Sequence, residues 1–132
     1  MSPKGELSPR YPIDMPRRQM MHDFSMTENF VVFIDHSFVF DPELMVKRGG
    51  LPFAADTEKQ CRVGLVRKCE PEKGVFQWFD VENFVFFHTI NSWEEPDGRV
   101  CVSLCRCATP ASCRTHCKDA VVNTQCPHVP LA

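Results

Sequence analysis

Asn83-Phe84-Val85-Phe86-Phe87-His88-Thr89-Ile90-Asn91-Ser92-Trp93-Glu94-Glu95 decides how this chain folds. Phe84 to Phe87 is apolar at every position, and β-branched and aromatic residues continue beyond His88. Such a run is strand-sized, and a strand apolar on both faces needs a layer above and below it. Working outward, Val63 to Val66, Val75 to Val81 and Val100 to Leu104 read as further strands. Lys73-Gly74, Glu82-Asn83 and Glu95-Pro96-Asp97-Gly98 punctuate them. Short strands roughly 8–12 residues apart predict an all-β sandwich, barrel or propeller.

Upstream, Met20 to Met26 and Phe30 to Ile34 flank the polar Thr27-Glu28-Asn29, the pattern of a β-hairpin. Asp41-Pro42-Glu43-Leu44-Met45-Val46-Lys47 fits one or two helical turns. Asp41 is the expected N-cap, Pro42 takes the first helical position, and Gly49-Gly50 ends the helix. Six short strands and one helical turn barely cover a two-sided strand, so part of the structure is expected to lie outside this chain.

At 132 residues the chain holds one domain. Its net charge of −2 and its scattered basic residues, paired only at Arg17-Arg18 and Lys47-Arg48, do not favour nucleic acid. No apolar run reaches the length of a membrane span. Residues 1–18 carry Pro3, Pro9, Pro12 and Pro16 and no apolar h-region, so they read as an extended entry segment rather than a signal peptide.

Two histidines fall in apolar surroundings 66 residues apart, His22 in Met20-Met21-His22-Asp23-Phe24 and His88 in the strand quoted first. A sheet-buried imidazole is costly unless it is hydrogen-bonded or bound to metal. Strand alternation puts Met20 and Phe24 beside His22, and Phe86 and Ile90 beside His88. It also turns Asp23 away from the His22 ring. Glu28, Glu94 and Glu95 are available to orient an imidazole, against the plainer alternative of solvated turn charges. His36 falls at a strand end and is expected at the surface. On residues alone, a metal pair and two core histidines satisfied by backbone carbonyls remain alternatives.

The cysteines are uneven: Cys101, Cys105, Cys107, Cys113, Cys117 and Cys126 crowd the last 32 residues, leaving Cys61 and Cys69 elsewhere. No aromatic residue follows Trp93. The tail, with His116 and His128, lacks the paired Cys-x2-Cys knuckles of a structural zinc site. A zinc module, a disulfide segment and an aberrant terminus stay open, the last being the plainest. The division expected is therefore 1–18 entry segment, 19–102 β body, and 103–132 irregular Cys-rich tail.

Met20-Met21-His22-Asp23-Phe24-x-x-Thr27-Glu28-Asn29 resembles an iron-ligand motif of the carotenoid cleavage dioxygenases, and Phe86-Phe87-His88-x-x-Asn91-x-Trp93-Glu94-Glu95 resembles the next. Leu51-Pro52-Phe53, Arg62-Val63-Gly64 and Trp78-Phe79-Asp80-Val81 match between them, in order. The resemblance spans about Tyr11 to Val102 and is nearest to plant and algal enzymes, the 9-cis-epoxycarotenoid dioxygenases among them. It implies a seven-bladed β-propeller, of which this chain supplies about one and a half blades. It implies Fe(2+) held by four histidines, of which His22 and His88 are two, oriented by glutamates outside the matched region.

The activity implied is addition of dioxygen across one double bond of a carotenoid or apocarotenoid, giving two carbonyl products. Phe87 would help line the substrate passage, although ideal alternation places it opposite His88. The chain alone is expected to be inactive. Retinoid-type isomerohydrolysis on the same fold is the alternative chemistry. The complete enzyme is compatible with peripheral membrane contact, and with residence in the plastid before the cytosol.

Overall fold

The computed structural model describes residues 3–107 and 118–124. Among them the chain is mostly β-sheet, with one short helix and no closed barrel. In chain order the first elements are β1 (Ser25–Met26), β2 (Phe30–Asp35), β3 (Phe38–Phe40), α1 (Pro42–Arg48) and β4 (Phe53–Ala55). Then come β5 (Cys61–Arg67), a 3-10 turn (Pro71–Lys73), β6 (Val75–Val81), β7 (Val85–Glu94), β8 (Val100–Cys107) and β9 (Lys118–Thr124). Three antiparallel sheets result, ordered β1-β2-β5-β6, β3-β4 and β7-β8-β9.

The apolar alternation of β2 and β5 drives the packing. Val32, Ile34, Val63 and Leu65 are buried on one face of the four-stranded sheet. Val100, Val102 and Leu104 of β8 join them in the same core, with Phe84 and Phe86. Each such side chain contributes about 1.5–3 kcal/mol on burial. Phe84, Val85 and Phe86 are all buried, as a two-sided apolar strand requires.

The motif pieces between the two histidines acquire physical reasons here. Gly64 pairs with Trp78 across β5 and β6, and a Cβ at Gly64 would stand 2.5 Å from the indole. The Arg62 guanidinium lies 4.1 Å from the Trp78 ring centre, a cation–π contact. Glycine is therefore what lets the indole lie across β5 beneath Arg62.

The helix forms as its sequence dictates. Asp41 Oδ1 accepts from Glu43 N–H at 3.1 Å, Pro42 opens α1, and Gly49 at φ 66° ends it. The hairpin turn is also where expected, with Met26 opposite Val31. Its first strand is only two residues long, so His22 lies in an irregular segment rather than on a strand. That corrects the alternation assigned around it. The β3-β4 pair was not anticipated.

His36 is fully buried, contrary to the surface position expected from its place at a strand end. Its Nδ1 accepts from Phe38 N–H at 3.2 Å, and its Nε2–H donates to the Met20 carbonyl at 3.0 Å. It is the core histidine satisfied by backbone, the alternative weighed for His22 and His88. Burial pushes its pKa down to about 4, with Lys59 adding to the effect against the bond to Met20 and the charge of Asp35. Asp35, also buried, is neutralised by Lys59 and by Arg62 Nε at 2.9 Å.

The expected tail begins inside β8, which continues to Cys107 and pairs with β9. Cys107 is disulfide-bonded, whereas Cys61, Cys69 and Cys101 carry no disulfide. Cys113, Cys117, Cys126, His116 and His128, on which a zinc reading of the tail depends, lie outside the described residues.

Candidate metal centre

His22 and His88 meet. Their ring centroids are 5.1 Å apart with planes at 80°, although one ring rides on an irregular segment and the other on β7. Two features of the backbone bring them together. The first is an irregularity in β7: Phe86 pairs with Arg106 and Thr89 with Leu104, so Phe87 and His88 together oppose Cys105. Such a bulge re-aims side chains and breaks alternation. Phe87 and His88 consequently both contact His22, the Phe87 centroid lying 5.8 Å from it. Phe86 instead enters the core against His36, with centroids 5.0 Å apart. This corrects the expectation that Phe86 flanks His88 and that Phe87 faces away.

The second feature is a set of polar rungs joining residues 23–29 to β7. Asp23 Oδ2 accepts from Thr89 N–H and from its hydroxyl, both at 2.8 Å. Ser25 Oγ donates to Ser92 Oγ at 2.7 Å, and Ser92 Oγ donates to the Met26 carbonyl. Thr27 Oγ1 donates to Glu94 Oε1 at 2.5 Å; the same carboxylate accepts from Asn29 N–H at 2.7 Å and Asn29 Nδ2 at 2.9 Å. The rungs fall at every second residue on one side (23, 25, 27) and at 89, 92 and 94 on the other. The extra step from 89 to 92 is the second irregularity of β7, where Thr89 and Asn91 face consecutive residues of β8.

These rungs were missed in the sequence because each half looks like ordinary turn polarity. The available signal was the period of two in Asp23, Ser25 and Thr27. Asp23, set aside there as a partner for the His22 ring, instead fixes the segment to the residue after His88. Partial burial raises its pKa, but the Thr89 bonds, the Phe24 N–H and the charge of His88 outweigh it, leaving it below the usual range. Glu94 is likewise lowered: burial raises it, and the bonds from Asn29 and Thr27, with Lys68 nearby, overcome that. Glu94 serves this clamp, and Glu95 accepts from the Trp93 indole at 2.7 Å.

Both rings are exposed in this chain, not buried in a sheet as the sequence reading supposed. Among the described residues neither makes a hydrogen bond, which leaves their ring nitrogens available as ligands. The separation fits a shared ion. An imidazole nitrogen about 2.1 Å from a divalent metal puts its ring centre about 3.2 Å away. Rings 5.1 Å apart would then subtend roughly 105° at one ion, within the span of tetrahedral and octahedral sites. Among the described residues no third His, Cys, Asp or Glu completes a cluster.

A family model described as RPE65, retinal pigment epithelial membrane protein, matches residues 1–128. The chain belongs to this family of carotenoid oxygenases. A Crocus sativus carotenoid 9,10(9',10')-cleavage dioxygenase is 37% identical over 110 residues, 83% of this chain and 20% of that relative. A Phaseolus vulgaris carotenoid 9,10(9',10')-cleavage dioxygenase 1 is 36% identical over the same shares. The chloroplastic 9-cis-epoxycarotenoid dioxygenase NCED6 of Arabidopsis thaliana is 41% identical over 83 residues, 63% of this chain and 14% of that relative. This RPE65-family chain thus spans about a fifth of the length of the curated relatives it matches.

Proposed function

We propose that the chain is part of a non-haem iron(II) dioxygenase that cleaves a carotenoid or apocarotenoid, and that His22 and His88 are two of its iron ligands. The observation that carries this is the pair of free imidazoles 5.1 Å apart, brought together from segments 66 residues apart. The names of the relatives support the carotenoid substrate and favour this reading over retinoid isomerohydrolysis. Fe(2+), once bound, supplies activation of dioxygen for addition across one double bond, giving two carbonyl products.

This chain's own residues do the positioning. Neutral imidazoles leave a ferrous ion its charge, and the Asp23–Thr89 rung holds their spacing. Phe87, half-buried, makes T-shaped contacts with His22 and with Phe38. It is suited to line the passage of an apolar polyene. We assign the sheet β1-β2-β5-β6 as one blade of a seven-bladed propeller and β7-β8-β9 as part of the next; a four-stranded and a three-stranded antiparallel sheet sharing one core support this.

The remaining ligands and orienting glutamates come from outside this chain, so the isolated chain is inactive. The chloroplastic designation of the epoxycarotenoid relatives supports a plastid enzyme. No helix among the described residues is long and apolar enough to cross a membrane. Exposed Val46 and Leu51 beside Lys47 and Arg48 support peripheral contact.

The test uses the complete enzyme containing this region, with carotenoid and dioxygen. His22→Ala and His88→Ala should each abolish iron retention and carbonyl products, with one dioxygen consumed per bond cut in the wild type. Wild-type iron content and turnover in either variant would overturn the assignment, and product formation without dioxygen uptake would select the isomerohydrolase.

A further inference from the structure

Beyond the ligand pair lies a buried residue that touches both ligand-bearing segments. His36 donates from Nε2 to the carbonyl of Met20, two residues before His22. Its ring makes a T-shaped contact with Phe86, two residues before His88. Met20 N–H donates to the Phe38 carbonyl at 3.0 Å, so that residue is held on both sides. Gln19 reinforces it: its Oε1 accepts from His36 N–H at 2.8 Å, and its Nε2 donates to the Ile34 carbonyl at 3.1 Å.

After Met20 the backbone is irregular until β1. The next anchor is Asp23, bonded to Thr89, the neighbour of His88. His22 therefore hangs on a short span between two fixed points. A closed circuit follows: His36 to Met20, along to His22 and Asp23, across to Thr89, back through His88 and Phe87 to Phe86, and again to His36.

We propose that His36 is a positioning residue for the ligand pair, fixing the Met20 end of the His22 span and the Phe86 end of the His88 bulge through one buried ring. The proposal rests on the reading of His22 and His88 as ligands. Both ring nitrogens are committed, Nδ1 accepting from Phe38 and Nε2–H donating to Met20, so one tautomer satisfies the site. Burial in the neutral form agrees with that tautomer. An apolar residue would leave the Met20 carbonyl unpaired, and a shorter amide could not reach it.

The experiment uses the 132-residue chain and Co(2+) as the metal probe, with His36→Gln, His36→Asn and His22→Ala. Glutamine places an N–H where Nε2 stands; asparagine replaces only the Nδ1 side. In metal-free protein, NMR should show cross-relaxation between the His22 and His88 ring protons in wild type and His36→Gln, and its loss in His36→Asn. Co(2+) affinity should fall about 10-fold or more in His36→Asn and recover in His36→Gln.

Asparagine behaving as wild type, or glutamine failing to rescue a folded chain, would overturn the proposal. Should neither variant fold, the wild type decides: the His36 Nε2 proton must exchange slowly and the ring must be the Nε2–H tautomer, and a fast-exchanging or Nδ1–H ring overturns it. If wild type binds no Co(2+), or His22→Ala binds it equally, the ligand reading fails, whereas the metal-free ring contact still tests the positioning role.

Discussion

Acidification should weaken this fold through His36 before its carboxylates titrate. In the unfolded chain the imidazole takes a proton near its ordinary pKa of 6.5; in the fold it does so only near about 4. Between those values the unfolded state holds more protons, so stability rises with pH and is lost as pH falls. At 1.36 kcal/mol per pH unit, lowering pH from 7 to 5 removes about 2 kcal/mol. That is a large share of the stability of a small domain. The perturbation is His36→Gln, which removes the titration and keeps a donor towards Met20. The assay is urea unfolding of both chains at pH 7, 6 and 5. Wild type should lose about 2 kcal/mol more than His36→Gln across the range, so the difference in stability between the two chains should change by about that amount from pH 7 to pH 5. His22 and His88 are exposed, Asp35 and Lys59 pair with each other beside His36, and all four residues are common to both chains. Parallel pH profiles would refute the reasoning, because they would mean that His36 is not held neutral by burial.

Other expectations concern single contacts. Gly64→Ala puts a Cβ within 2.5 Å of the Trp78 indole, so the ring must leave Arg62, with a loss of about 1–3 kcal/mol; indole fluorescence and urea unfolding would report both. Glu94→Ala leaves the Thr27 hydroxyl and two Asn29 donors without their acceptor and should cost about 1–3 kcal/mol, with faster amide exchange at Asn29. Wild-type exchange there would count against the clamp. Asp41→Ala removes the α1 cap and should cost about 1 kcal/mol in thermal unfolding, without moving the His22 and His88 rings.

Elements whose sequence signal is local were legible: the capped helix at Asp41, the turn at Thr27-Glu28-Asn29, and β6 from Val75 to Val81. The pairing of His22 with His88, whose rings lie 5.1 Å apart, was suggested by motif resemblance and not by periodicity. Alternation failed around both histidines for one physical reason, since neither sits on a regular ladder. His22 precedes the two-residue β1, and His88 lies in a bulge. His36 was misplaced because a polar residue at a strand end normally meets solvent. Its burial depends on the Met20 carbonyl and Phe38 amide arriving from the neighbouring segments, which no local pattern reveals. The rungs from Asp23 to Glu94 were hidden similarly, each half being satisfied only by the other.

Anaerobic titration of Fe(2+) into the chain and its His22→Ala, His88→Ala and doubly substituted forms tests most directly whether two imidazoles hold one ion. A shared ion predicts one site in the wild type and a loss in either single variant as large as in the double. Losses that add, or a single variant that binds as tightly as wild type, would mean that the rings serve separate ends.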